Sequence, residues 1–179
     1  MTFIHPLASV ASQEIGQGTR IWQYVVILEG AQIGEFCNIN AFTFIEKDVR
    51  IGNNVTVKSG AHLWNGLVLE DNVFIGPNVS FTNDRAPRSK VYPEKFLETK
   101  VLAGASIGSN ATILCDITIG YSAMVGAGSV VTKDVKNHAL VFGNPATQKG
   151  WVCKCGAVLC RLYCEKCDVK YTEIIDGLR

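Results

Sequence analysis

The sequence predicts an all-β solenoid: a parallel β-helix of hexapeptide repeats with one long loop excursion and a small cysteine-rich C-terminal unit. Three observations predict it. Apolar residues recur every sixth position at Ile15, Ile21, Ile27, Ile33, Ile39, Ile45, Ile51, Val57, Leu63, Leu69, Ile75 and Phe81, and again at Val101, Ile107, Ile113, Ile119, Val125 and Val131. Gly16, Gly34 and Gly52 stand eighteen residues apart. Five of the seven cysteines fall between Cys153 and Cys167.

A six-residue period misses the 3.6-residue repeat of an amphipathic helix but is even, so it suits strands, whose alternate residues share a face. With about half the residues apolar, an unbroken run of this length arises by chance about once in a million. A second column two residues before each beat is small or aliphatic, as in Val25, Ala31, Cys37, Thr43, Val49, Val55 and Ala61, and it resumes at Ala105, Ala111, Ile117 and Ala123. Two inward residues, then a turn in which Gly or Asn absorbs unusual backbone angles, make one short side. Three sides close a coil of eighteen residues, and stacked coils bury a continuous core. This predicts four coils from Ile15 through Phe81 and two from Val101 onward, in a domain spanning residues 1–150.

From Phe81 to Val101 the beat stops, leaving a loop over residues 82–100 with fourteen residues more than one repeat needs. A flat solenoid wall encloses nothing, so functional groups are expected on such an excursion. Asn83 and Asp84 can accept hydrogen bonds from an amine or hydroxyl, or can cap the turn where the chain leaves the coil. Arg88 offers a planar fork to phosphate. Tyr92 offers a stacking surface or a loop anchor. Asn65 lies eighteen residues before Asn83 and is expected at the same corner one coil earlier. His62 and Trp64 flank the beat residue Leu63 and are expected to point outward. An outward tryptophan on a solenoid implies a ligand or partner covering it.

Residues 151–179 form the second unit. Cys153 and Cys155 (C-x-C) and Cys164 and Cys167 (C-x-x-C) have the spacing of two knuckles of a zinc ribbon, four thiolates being the donor set of a closed structural site. Cys160 is the spare, able to replace Cys155 or Cys164 or to stay a free thiol. Cys37 and Cys115 fall in the repeat and read as core.

The net charge is +1, with 47% hydrophobic and 18% charged residues. No field of one sign would gather nucleic acid or an anionic membrane. No apolar run reaches the length of a membrane span. The N-terminus has no signal-peptide pattern, so a reducing cytoplasm is the expected compartment, where cysteines favour metal over disulfides.

The segments "LWNGLVLEDNVFIGPNVSFTND", "PRSK", "GASIGSNATIL", "GAGSVVTKDV" and "GNPA" resemble the hexapeptide-repeat acyltransferases over roughly residues 3–150. The similarity is sharpest to the branch that N-acetylates nucleotide-linked 3-amino sugars, above all dTDP-3-amino-3,6-dideoxyhexoses for bacterial surface glycans. The resemblance implies a left-handed coil, acetyl-CoA as donor, and a homotrimer with active sites between subunits. It implies a sugar-site role for "FTND", and hence for Asn83. It places coenzyme along the later coils, near Ala103, Gly104, Ala105, Ala123 and Lys133. It also implies that the departing coenzyme sulfur takes the final proton, which leaves His62 an assisting role. A UDP-linked 3-amino-glucuronic acid is the alternative substrate, and a noncatalytic scaffold with a zinc ribbon is the alternative of another class. An O-acetyltransferase would rely on an essential histidine.

Overall fold

The structure is a computed structural model describing residues 1–179, and it contains strands but no helix. Three parallel sheets form the walls of a triangular solenoid, each coil giving one short strand to each wall. The largest sheet has nine strands, the last of them antiparallel, so its eight parallel strands count about eight turns. No helix is long and apolar enough to cross a membrane.

The beat residues are the core. Ile21, Ile39, Ile45, Val57, Leu63, Ile75, Val101, Ile107, Ile113 and Ile119 are all completely buried. Parallel register stacks them eighteen residues apart, Ile39 on Ile21 and Ile75 on Val57. Each such side chain contributes roughly 1.5–3 kcal/mol by leaving water. The second column is buried with them, including Val25, Ala31, Val49, Ala105 and Ala123. Where that column is polar the hydroxyl is tied down: Thr19 Oγ1 donates to the Gly34 carbonyl (2.8 Å) and Ser129 Oγ to that of Gly126 (2.7 Å). Thr99 is the exception, its buried hydroxyl having no partner.

The solenoid exceeds the sequence expectation by a coil at each end. It begins at the strand Phe3–Ile4 and ends with Ala139–Gly143. Both coils are out of phase with the beat. Ile4 pairs with Ile21 at an offset of seventeen, and Val125 with Val141 at sixteen.

The glycines differ from expectation in cause. Gly34 has an ordinary φ, but a Cβ there would lie 2.5 Å from the Gly52 carbonyl oxygen of the next coil. Close approach of successive backbones, not a left-handed angle, excludes a side chain. The left-handed residues sit at the corners: Gly18 and Asn54 in one corner column, Gly60, Asn78 and Asn110 in another. Tyr24, Phe36 and Phe42 occupy such corners with φ of 60°, 55° and 62°.

Ser80 pairs with Thr112, an offset of thirty-two that is one coil plus the fourteen surplus residues. The strand Thr99–Val101 has already rejoined the wall, so the loop itself covers residues 82–98. The strand Ala146–Trp151 runs across the expected boundary at residue 150 into the cysteine-rich unit. That unit has its own small core of Cys153, Cys164, Tyr171 and Leu178. It docks on the last coil through a parallel bridge from Gly177 to Asn137 and through His138, whose Nδ1 lies 2.8 Å from the Val152 carbonyl.

Candidate active site and cysteine centre

The corner before the loop is a ladder of polar side chains at coil spacing. Glu46 Oε2 accepts the Asn65 backbone N–H (2.7 Å), and Asp48 Oδ1 accepts that of Gly66 (2.9 Å). One coil on, Asn83 Nδ2 donates to the Asn65 carbonyl oxygen (3.3 Å). The predicted superposition of Asn65 and Asn83 therefore holds. It also leaves the Asn83 side-chain oxygen without a protein partner. Thr82 Oγ1 accepts the Cys115 N–H (2.9 Å), pinning the departing chain to the coil above.

The loop is fixed at its base and free at its tip. Leu97 donates its N–H to the Asn83 carbonyl (3.0 Å), and Arg85 pairs with Asp116 at 2.6 Å. Asp84 Oδ1 caps the turn by accepting the Ala86 N–H (2.8 Å), so the capping role open in the sequence is realised. Its second carboxylate oxygen stays free. A cavity of about 380 Å³ beside this base is lined by Thr82, Asp84, Arg85, Leu114, Cys115, Ile117 and Thr132. Further out, the chain turns through Lys90 (φ 63°), with Val91 bridged to Arg88. Arg88 donates only to its neighbour's carbonyl, at Pro87 (2.9 Å), and Tyr92 is 79% exposed. Neither reaches the cavity in a single chain.

His62 points outward and is exposed, while Trp64 is half-buried and packs on the core as well. The two rings stack at 5.7 Å and 13°, and Phe44 closes on Trp64 at 5.5 Å. His62 thus sits in an aromatic patch one residue pair from the Asn65 corner.

The expected coenzyme side is built as follows. Ala105 and Ala123 are buried, their methyl groups filling the core. The backbone donors here are already used: Ala103 N–H by Glu70 Oε2 (2.9 Å), Gly104 N–H by the Asp71 carbonyl (2.9 Å) and Ala105 N–H by that of Leu102 (3.2 Å). What remains is a wall. Ala103 lines an open groove of about 450 Å³ with Gln32, Arg50, Val68, Glu70 and Asp71. Lys133 is exposed and forms no ion pair. Ala103 and Asp84 line separate cavities.

Sequence reading passed over Glu46, Asp48, Thr82 and Asp116. The first two could have been found by stepping eighteen residues back from the Asn65 segment. The last needed the loop's exact register.

The Sγ atoms of Cys153, Cys155, Cys164 and Cys167 all lie within 4.8 Å of one another, with Cys155 and Cys164 at 3.7 Å. Thiolates about 2.3 Å from a tetrahedral zinc stand about 3.8 Å apart, so the donor set fits that ion. Cys160 is exposed and outside the cluster. Burial pushes the Cys153 thiol up, but the Cys155 backbone N–H and the Tyr171 hydroxyl, donating at 3.1 Å, outweigh it and bring it down to about 6.

The chain is similar to known proteins in sequence and in fold. The model of the family described as bacterial transferase hexapeptide (six repeats) matches residues 14–47 and 48–83. The chain is 59% identical over 157 residues to dTDP-3-amino-3,6-dideoxy-alpha-D-galactopyranose 3-N-acetyltransferase of Aneurinibacillus thermoaerophilus, covering 88% of this chain and 82% of that protein. It is 29% identical over 162 residues to the bifunctional protein GlmU of Thermotoga petrophila, covering 84% of this chain but 36% of that one. Among solved structures, a variant of GDP-perosamine N-acetyl transferase from Caulobacter crescentus, in complex with CoA and GDP-perosamine, superposes with a TM-score of 0.56. It is 26% identical and covers 84% of this chain and 57% of that chain.

Proposed function

Because this chain belongs to the hexapeptide-repeat acyltransferases, in the branch of the nucleotide-linked amino-sugar N-acetyltransferases, we propose that it acetylates the 3-amino group of a dTDP-linked 3-amino-3,6-dideoxyhexose. Acetyl-CoA is the donor, and the product feeds bacterial surface glycan synthesis in the cytoplasm. The observation that carries this reading is the 59% identity over 88% of the chain.

The chemistry asks little of side chains. The sugar's neutral amine attacks the thioester carbonyl carbon, a C–N bond forms and the C–S bond breaks. The proton leaving nitrogen goes to the departing sulfur, giving the acetamido sugar and CoA. The protein's task is to hold the amine beside the thioester, which alone is worth several kcal/mol. Asn83 is suited to this. Its Nδ2 is engaged by the Asn65 carbonyl, so its oxygen is aimed to accept an amine N–H and turn the nitrogen lone pair toward the thioester. The free oxygen of Asp84 takes a sugar hydroxyl. Arg88 and Tyr92 meet the nucleotide, and Trp64 gives an apolar face to sugar or base. His62, held against Trp64, assists rather than acting as the base. The pantetheine arm lies along the wall at Ala103 and Gly104, with Lys133 toward the phosphates.

Asp84 and Ala103 line different cavities of one chain, which supports a site completed between subunits of a homotrimer. Residues 151–179 form a cap built around a structural zinc held by Cys153, Cys155, Cys164 and Cys167. A unit this small has too little core to fold unaided, and metal binding supplies the difference.

The decisive experiment offers acetyl-CoA with a panel of dTDP- and UDP-linked 3-amino sugars and follows free thiol. Release is expected with dTDP-3-amino-3,6-dideoxyhexoses. Release only with a UDP-3-amino-uronic acid, or with none, overturns the proposal.

A further inference from the structure

A cavity of about 340 Å³ opens at the seam between the last coil and the cysteine-rich unit. Its lining includes Lys154, Lys170 and Arg179, together with the rings of Tyr121, His138 and Tyr171. No Asp or Glu lines it, and the chain's three ion pairs use none of these cations. A concave site lined by cations and no acidic residue focuses a positive field that gathers anions. Aromatic residues and cations lining one cavity suit a ligand that carries both a flat ring and phosphate.

We propose that this seam binds the phosphate groups of a nucleoside phosphate, with Lys154 and Lys170 as the principal cations and Tyr121 as the ring platform. Tyr121 is 44% exposed and meets the His138 ring edge-on at 5.5 Å. His138 in turn lies 4.9 Å from the Tyr171 ring.

The cysteine centre builds the site. Lys154 stands between Cys153 and Cys155, and its backbone N–H donates to the Tyr171 hydroxyl (3.3 Å), which itself donates to Cys153 Sγ. Lys170 lies on the strand Val169–Lys170, paired with Tyr163–Cys164. Assembly of the four thiols around a metal thus sets where both ammonium groups stand.

Position suggests a source. Ser122 N–H donates to the Ala103 carbonyl (3.0 Å) and His138 N–H to that of Tyr121 (2.7 Å), so one corner column climbs from Ala103 through Tyr121 to the seam. A ligand laid along Ala103 and pointing toward the end of the solenoid arrives there. The ligand is then either the 3′-phospho-ADP end of coenzyme A or a free nucleotide.

Calorimetric titration of the metal-loaded full chain tests this, with CoA, 3′-dephospho-CoA and ADP as probes. The variants are Lys154→Gln, Lys170→Gln and the double substitution. Lys166→Gln and Arg161→Gln, ribbon cations outside the lining, serve as controls. Metal content measured on every variant shows that the ribbon is intact. The double variant is expected to bind at least tenfold more weakly while the controls match the native chain. A loss seen for CoA but not for 3′-dephospho-CoA assigns the coenzyme's 3′-phosphate, and a loss seen for ADP alone assigns a free nucleotide. Unchanged affinity for all three probes, or an equal loss in the controls, overturns the proposal. The coenzyme as source rests on the acetyl-transfer reading, whereas the seam's cations and rings do not. A chain that binds nucleotide in the seam yet transfers no acetyl group sinks the function and leaves the seam.

Discussion

Replacing Asn83 separates its two bonds. In Asn83→Ala the 3.3 Å bond to the Asn65 carbonyl is lost from a half-buried corner. That costs the fold roughly 0.5–1.5 kcal/mol, or a fall in melting temperature of about 1–6 °C for a chain of this size. Asn83→Ala also removes the acceptor for the substrate amine. A hydrogen bond formed as positive charge develops on nitrogen is worth about 1.5–3 kcal/mol. At 1.36 kcal/mol per tenfold, kcat/KM should fall about ten- to a hundredfold. Asn83→Asp keeps an acceptor but sets a carboxylate beside the amine. The carboxylate favours the protonated, unreactive ammonium and raises its pKa, so the pH–rate profile must move to higher pH. Steady-state thiol release from pH 6 to 10 measures both. If Asn83→Ala keeps kcat/KM within twofold, or the profile of Asn83→Asp does not move upward, the Asn83 oxygen does not touch the amine and the proposed site is wrong.

Four further outcomes follow from particular contacts. Thr99→Val exchanges an unpartnered buried hydroxyl for a methyl group and should raise the melting temperature by about 2–4 °C; a fall would mean the hydroxyl is satisfied. Gly34→Ala puts a Cβ 2.5 Å from a backbone oxygen and should lower it by about 4–8 °C, and tolerance would show that the coils can separate. His62→Asn should keep kcat within about threefold, because the sulfur accepts the proton; a hundredfold loss would restore histidine as base. Elemental analysis should find one zinc per chain, and its removal by a strong chelator should make four protected thiols reactive while the solenoid's own melting transition persists.

The core was legible because one inward column repeats without exception, so the identity of each side chain stood for its position. The loop's excess was legible for the same reason: the interrupted register returns after fourteen residues, and Ser80 pairs with Thr112 as counting requires. The end coils were not, because deletions at their corners shift the phase, and a count by sixes passes over Ile4 and Val141. At the site, Asn65 above Asn83 could be read from spacing alone. The occupied donors of Ala103 and Gly104 could not, since the partners Glu70 and Asp71 belong to the preceding coil across the loop. Small residues there marked a tight wall. Whether the wall's N–H groups were free was a question of three-dimensional pairing.

The same logic bears on the exposed aromatic corners. The left-handed backbone costs a bulky residue roughly 1–2 kcal/mol where Gly or Asn would be relaxed. Asn54, Asn72, Asn78 and Asn110 show the relaxed solution repeatedly. Tyr24, Phe36 and Phe42 depart from it in the early coils, and each residue is more than half exposed. Contacts within the chain offset part of this. Tyr24 and Phe42 stack at 5.2 Å, and the Phe36 ring occupies the space a side chain on Gly18 would need. The remaining exposed area, with Val91 and Tyr92 at the loop tip, is apolar surface that a lone solenoid gains nothing by displaying. In the proposed trimer both features have a use. The wall supplies the apolar face, and the loop, tied down at its base through Thr82, Asn83, Arg85 and Glu98, supplies a tip to reach the neighbouring wall. One chain then holds each half of the reaction on a different face, and assembly brings amine and thioester together.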